Sequence, residues 1–387
     1  MVMGSLRGAT AIVGVAETGL GKGTKNALQL SADAAREAIE DAGLRKTDVD
    51  GLLTVTPVEV KQRFYASVLS EYLGLTPRYL NALEVGGATA ATCVAHAAAA
   101  IAAGQCDTVL IIVGTARNSV WGRDKTVEAL ASVGHPEFED PYGPLIPAMY
   151  ALIASRHMHE YGTTHEQMAE VAVACRAHAA LTPKALMRDP ITVEDVLSSK
   201  PIAKPLHMLD CCLVSDYAGA LIVTRADRAK SLRRPPVYVL GAGEGHTHEA
   251  ISEAPNLTSF GCVTSGQVAF QTAGLGPKDV DVAELYDCFT ITVLVELEDL
   301  GFCRKGEAGP FAASGALRLG GALPANTNGG LLSFANGGIF HITEATRQLR
   351  GECGARQVPG ANVALAHNNG GIMSNHCTLV LGTEATL

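Results

Sequence analysis

The 387-residue chain is 47% hydrophobic and 18% charged, enough to bury a large core in one duplicated domain or two smaller ones. Its formal charge of −9 is spread without long acidic or basic runs, which argues against a nucleic-acid binder, and no stretch reaches the ~18 apolar residues of a membrane span. Met1 to Gly8 holds no long apolar region, so a cytoplasmic location is expected, with the ten scattered cysteines reduced, mostly buried and holding no metal.

In chain order, the first readable unit is Ala38-Ile39-Glu40-Asp41-Ala42-Gly43-Leu44 followed by Asp48-Val49-Asp50. It predicts an Ala-rich helix stopped by a left-handed glycine, a short polar turn and an apolar strand. Gly86-Gly87 then precedes an Ala-rich helix running to about Gly104 and a strand from Thr108 to Gly114. The stretch from Ala116 to about Pro205 breaks this rhythm with Gly134-His135-Pro136, Asp140-Pro141-Tyr142-Gly143-Pro144 and a helix-like run from Ile146 to His159. It reads as an insertion over the mouth of a site.

The first unit then returns as Ala269-Phe270-Gln271-Thr272-Ala273-Gly274-Leu275 followed by Asp279-Val280-Asp281, at the same spacing. Gly329-Gly330 precedes a predicted helix from Ile339 to Arg350 and a strand from Asn362 to Ala366. Alternating strands and helices imply parallel sheets covered on both faces. Two such halves, 1–225 with the insertion at about 116–205, and 226–387, imply a layered α/β duplex.

Four motifs add to the duplication: Asn326-Thr327-Asn328-Gly329-Gly330, Glu284-Leu285-Tyr286-Asp287-Cys288-Phe289, Val214-Ser215-Asp216 and His367-Asn368-Asn369-Gly370-Gly371. In order and spacing the chain resembles the thiolase superfamily over essentially its whole length, and within it the branch of sterol-carrier-protein thiolases and bacterial lipid-transfer aldolases. The resemblance implies two βαβαβαββ halves in five αβαβα layers, with a loop domain inserted in the first. It further implies a coenzyme A thioester as substrate rather than any permanently bound cofactor, a homodimer, and a separate small zinc-ribbon and OB-fold partner protein. By the same analogy the insertion holds the adenine and phosphates, and a pantetheine channel leads to Gly87. No phosphate loop is readable from the residues themselves: Gly241-Ala242-Gly243-Glu244-Gly245 is too short a match to GxGxxG.

Thiolases carry a nucleophilic cysteine at the N-terminus of a central helix, where the free amides acidify a thiol. Counting back from Gly104-Gln105-Cys106-Asp107 places that position at Gly87 or Ala88, and no cysteine is there. Cys93 lies too deep in the helix to take the role. Transfer through an acyl-cysteine loses its carrier, yet the amides around Gly86, Gly87 and Ala88 remain free to bind a thioester oxygen as it gains charge.

Two further positions differ. Tyr286 stands where sterol-carrier-protein thiolases have the histidine of His-Asp-Cys-Phe, and Asn336 stands where they have the histidine of Gly-His-Pro. Tyr286-Asp287-Cys288-Phe289 fits the Tyr-Asp-x-Phe arrangement expected of steroid side-chain aldolases, which would also carry a second tyrosine near position 336.

Retro-aldol cleavage of a β-hydroxyacyl-CoA needs a base, an electrophilic pocket for the thioester oxygen and an acid, and no acyl-enzyme. Tyr286 serves as base if its pKa falls from about 10 or if its phenol joins a proton chain. Candidates for that chain are His367, which ends a strand at a Gly-rich turn beside Gly370 and Gly371, then His376, His341, His246 and His248, the last two as alternative ligand contacts. Asp287 either caps the segment beginning at Cys288 or orients a catalytic group. Two other functions remain open at this point: an acyltransferase recruiting Cys93 or Cys377, and a non-catalytic acyl- or lipid-binding subunit.

Overall fold

The computed structural model describes residues 6–130 and 134–387. Its strands are β1 (Thr10–Gly21), β2 (Gly51–Thr54), β3 (Tyr79–Ala82), β4 (Thr108–Thr115), β5 (Pro201–Ala203), β6 (Leu206–His207), β7 (Asp216–Arg225), β8 (Val237–His246), β9 (Val282–Glu284), β10 (Val363–Gly370) and β11 (Asn375–Gly382). Nine of them share one hydrogen-bonded sheet in the order β3-β2-β4-β7-β1-β8-β11-β10-β9.

Read outward from the β1/β8 seam, the two sides repeat. β1 and β8 each pair antiparallel with a strand, β7 or β11, that pairs antiparallel with β4 or β10, which in turn runs parallel to β2 or β9. Beyond β9, where the counterpart of β3 belongs, Ala325 makes a single parallel bridge to Ala283.

The repeat extends to individual atoms. Helix Ala27–Ala42 stops at Gly43 (φ 69°) and helix Cys262–Ala273 at Gly274 (φ 64°), both in the left-handed region that favours glycine. The Asp50 carboxylate then accepts from the amides of Asp107 and Thr108, which fastens the start of β4. Asp281 accepts in the same way from Asn362 and Val363 at the start of β10. A Cβ added at Gly14 in β1 would meet the Ala38 carbonyl at 2.2 Å, and one at Gly241 in β8 would meet the Ala269 carbonyl at 2.1 Å. The glycines of β8 therefore admit a helix backbone, which is why Gly241 to Gly245 builds no phosphate loop.

Helices Ala27–Ala42 and Cys262–Ala273 cover the outer faces, while Thr89–Ala102 and Ile339–Arg350 pack between the half-sheets and touch strands of both. The result is the five-layer αβαβα stack. Ile339–Arg350 has the predicted bounds, and the run from Ile146 extends to Tyr161. Between β4 and β7 the chain leaves the sheet for the helical segment Arg117–Leu130, kinked at Gly122, the helices Ile146–Tyr161, His165–Ala180 and Val193–Ser198, and the β5-β6 hairpin. Among the described residues no helix is long and apolar enough to cross a membrane. All ten cysteines are free and seven are buried.

Candidate active site

The two central helices point their N-termini at one place. A helical turn at Gly86–Ala88 leads into Thr89–Ala102, and Gly338 precedes Ile339–Arg350. The backbones approach so closely that a Cβ on Gly338 would lie 2.8 Å from the Gly87 carbonyl. Such tips carry unpaired amides and the positive end of the helix dipole.

Tyr286 enters between them from just beyond β9. Its amide donates to Glu296 Oε2 (2.9 Å), and its carbonyl accepts from Thr292 Oγ1 (2.8 Å), so its backbone is fixed from the next helix, Thr290–Asp299. A Cβ on Gly87 would lie 2.1 Å from the Tyr286 hydroxyl and 2.3 Å from the Asn369 carbonyl. The phenol fills the space into which a side chain at position 87 would project. Gly370 closes the other side, where a Cβ would lie 1.9 Å from the Val85 carbonyl. The phenol thus also occupies the ground expected for an oxyanion in front of Gly87, and Ala88 is buried behind it.

The site is the floor of a cavity of about 930 Å³. Gly86, Gly87, Tyr286, Asn336, Gly370 and Gly371 line it, and so do Tyr150, Tyr217, Arg117, Cys212 and Cys288. Burial pushes the Tyr286 phenol well above its ordinary range; Cys288, Tyr217 and Cys212 add to the push, and Arg117 pulls the other way. Burial therefore favours the protonated phenol.

Two more tyrosines converge here that the linear sequence does not announce. Tyr217, directly after Val214-Ser215-Asp216, lies flat against Gly337, where a Cβ would meet its ring at 2.6 Å. A second tyrosine thus reaches the Asn336 neighbourhood, from β7 rather than from an adjacent position. Tyr150 donates to the Gly371 carbonyl (3.1 Å) and stacks on Phe289 at 4.4 Å.

Asn336 is held rather than free. Its amide nitrogen donates to Ser215 Oγ (3.0 Å), its side-chain Nδ2 to the Leu213 carbonyl (2.5 Å), and its Oδ1 accepts from Arg117 (2.7 Å). Asp287, fully buried, accepts from the amides of Leu331 and Leu332 and from His341 Nε2 (3.2 Å). It caps the turn at Gly330–Ser333, not the segment at Cys288, and it orients His341, whose other nitrogen meets Asn368 Nδ2 at 3.1 Å. The His341 ring stands edge-on to Tyr286 with centroids 5.8 Å apart.

Among the described residues no hydrogen bond joins the remaining histidines to Tyr286, although His367 Nε2 lies 3.9 Å from Glu296 Oε1, on the carboxylate that accepts the Tyr286 amide. His367 and His376 are buried and bonded to each other (3.0 Å); Thr378 Oγ1 and the Met373 carbonyl occupy their outer nitrogens. Burial pushes His367 well below its ordinary range and His376 down to about 4, so both stay neutral. Cys262, His367 and His376 bring three possible metal ligands within 4.8 Å, but all four ring nitrogens are already engaged. His246 pairs with Asn375 and His248 with the Ile372 carbonyl, both away from the cavity wall. Sequence position placed these histidines at a sheet end, but the ends of β8, β10 and β11 bond to one another first.

Residues 243–383 match the family model described as thiolase C-terminal domain-like. An acetyl-CoA acetyltransferase of Methanothermobacter thermautotrophicus is 34% identical over 93% of this chain and 96% of its own. A 17-hydroxy-3-oxo-4-pregnene-20-carboxyl-CoA lyase of Mycobacterium tuberculosis is 40% identical over 89% of this chain and 92% of its own. The chain belongs to the thiolase superfamily. Among solved structures, the Ltp2-ChsH2(DUF35) aldolase superposes with a TM-score of 0.89 at 36% identity, covering 99% of this chain and 100% of that one.

As a thiolase-fold protein it lacks a usable thiol. Cys93 and Cys377 are wholly buried, do not line the cavity, and have thiols that burial pushes up. Of the cavity thiols, Cys212 is pushed up to about 12, and Cys211 and Cys288 well above their ordinary range, again by burial first. None of these thiols is a thiolate at neutral pH.

Proposed function

We propose that this chain is a carbon-carbon lyase that splits a β-hydroxyacyl-CoA by retro-aldol cleavage into a ketone and a shorter acyl-CoA. The observation that carries the reading is the Tyr286 phenol, seated in the space that a residue-87 side chain would need, at the meeting point of two helix tips. Tyr286 takes the β-hydroxyl proton. The dipoles of the two helices and the Arg117 charge favour its ionised form against burial. Glu296 and Thr292 fix its backbone, while Asp287 and His341 brace its ring.

The substrate is a coenzyme A thioester with a bulky, steroid-like acyl chain. The apolar wall around Val55, Val58, Leu145, Ile146 and Met208 suits such a chain, and about 930 Å³ lies within the usual size of a ligand pocket. The lyase and aldolase relatives support this reading, and the cavity's protonated, buried thiols count against the acyltransferase reading.

The same proposal includes a small zinc-ribbon and OB-fold partner and a homodimer. The related aldolase, whose name joins Ltp2 with ChsH2, supports the first. The second draws support from β3, a half-exposed strand at the sheet edge with one side unpaired. Ten free thiols suit a reducing cytoplasm.

The test is incubation of the purified protein, alone and with such a partner, with a bulky β-hydroxyacyl-CoA, and detection of the ketone by mass spectrometry. Ketone release that disappears in Tyr286→Phe supports the proposal. Label from acetyl-CoA trapped on a cysteine, or tight binding with no ketone, sinks it.

A further inference from the structure

The cavity wall contains a cation without a counter-ion. Arg117 opens a short helical stretch that breaks at Gly122 (φ 75°) before a second helical stretch runs on to Leu130. Among the described residues no carboxylate forms an ion pair with it: Asp124 and Glu128, beyond the Gly122 kink, line the cavity without reaching it, and the Glu59 carboxylate is taken by the Ala116 amide and Thr115 Oγ1. Its Nε is buried with no hydrogen-bond partner. Its Nη2 is held by Asn336 Oδ1 at 2.7 Å, while Asn336 Nδ2 donates to the Leu213 carbonyl and to Cys212 Sγ at 3.2 Å. A guanidinium only donates and a carbonyl only accepts, so this amide orientation is fixed by chemistry. Asn336 therefore has no donor left for substrate, and both ends of its amide serve to aim Arg117.

A charge left unneutralised in a mostly apolar cavity is costly unless a ligand brings the opposite charge. Retro-aldol cleavage does so. As Tyr286 takes the hydroxyl proton, the O–H electron pair becomes the ketone C=O bond. The Cα–Cβ bond breaks, and its electron pair moves onto the α-carbon and the thioester oxygen as an enolate. The phenol proton then returns to the α-carbon. We infer that Arg117 is a catalytic residue that binds the thioester oxygen as this enolate forms, and that Asn336 is its positioning residue. The inference rests on the retro-aldol reading. It gives the electrophilic role to a side chain 219 residues away from Asn336 in sequence.

The experiment compares wild type, Arg117→Gln, Arg117→Lys and Asn336→Asp in two assays, with thermal unfolding to confirm folding. In steady-state cleavage, Arg117→Gln lowers kcat about 10² to 10³-fold with KM changed less than about threefold, because the charge exists only in the transition state. Asn336→Asp, which gives Arg117 a carboxylate, lowers kcat at least about tenfold while leaving the guanidinium in place, and so decides the matter if Arg117→Gln fails to fold. In calorimetric binding, a nitroalkyl-CoA nitronate, an enolate mimic, binds wild type at least about 100-fold tighter than a neutral ether analogue, and Arg117→Gln abolishes that preference while Arg117→Lys keeps part of it. Arg117→Gln with kcat within threefold of wild type, or with only KM raised, overturns the inference, as does a nitronate preference that survives the substitution. If wild type cleaves no β-hydroxyacyl-CoA, the retro-aldol reading fails, and the binding assay still judges Arg117 separately.

Discussion

The two halves repeat their scaffold and differ at the tips of their central helices. Thr89–Ala102 is more than half alanine, carries no acidic residue or Lys/Arg, and opens at Gly86-Gly87 onto the cavity. Ile339–Arg350 is tied down on every side: His341 to Asp287, Glu344 to Arg356 and Arg347 to Glu17. The first tip is a vacancy, and the second is an anchor. Tyr286, braced by the anchor, occupies the vacancy, so duplication supplies the place and the loss of symmetry supplies the chemistry.

The substitution that strips this arrangement of its chemistry with the least structural change is Tyr286→Phe. It should lower kcat/KM about 10³-fold, within the range for loss of a general acid-base, with little change in unfolding. Since burial holds the folded phenol above its ordinary pKa, only a small fraction is ionised at neutral pH. Wild-type kcat/KM should therefore climb about tenfold per pH unit from pH 7 to 9. A flat profile over that range would mean that the phenol acts as an acid or hydrogen-bond donor.

Next in size is Gly87→Ala. Its methyl needs the space of the Tyr286 hydroxyl, 2.1 Å away, so the ring must shift by about an ångström. A displacement of that order costs about 10²-fold in rate, and overpacking costs about 1 to 3 kcal/mol in stability. Full activity in this variant would show that the vacancy at the first tip plays no part in placing the phenol.

What could be read in the sequence follows the same division. The Asp-Val-Asp repeat, the glycine stops and the bounds of Ile339–Arg350 were legible because each is set within one element. So was Tyr286, because it sits in a recognisable motif beside the missing cysteine. Tyr150, Tyr217, Glu296 and Arg117 were not, because their roles arise only when distant segments meet. His367 and His376 misled for the opposite reason. Their strand-end position was read correctly, but the fold closes them into their own bonded pair.

That bonded pair also makes stability depend on pH. His376 titrates near 6.5 when unfolded and at about 4 when folded, because burial disfavours its cation. Between those values the unfolded chain binds more protons than the native one, so stability falls as pH drops from about 6.5 to 4, by up to about 3 kcal/mol. Urea midpoints at pH 7.5, 6 and 5 should show this loss in wild type and a shallower one in His376→Gln. Equal slopes would place the acid sensitivity elsewhere.

The smallest effect tests whether the halves are equivalent where they look alike. Asp50→Asn and Asp281→Asn each replace a carboxylate that accepts two strand-opening amides with a group having one acceptor oxygen and a misplaced donor. Both sites are partly open to solvent, so each change should cost about 1 kcal/mol, read as a lower urea midpoint at unchanged slope. Asp50→Asn should cost slightly more, since Asp50 also pairs with Arg78 at 2.7 Å. The sites lie on opposite halves with no shared partner, so the double variant should lose the sum of the two. A sum that fails, or a change at only one site, would mean that the repeated aspartates no longer fasten their strands alike and that the asymmetry reaches beyond the helix tips into the scaffold.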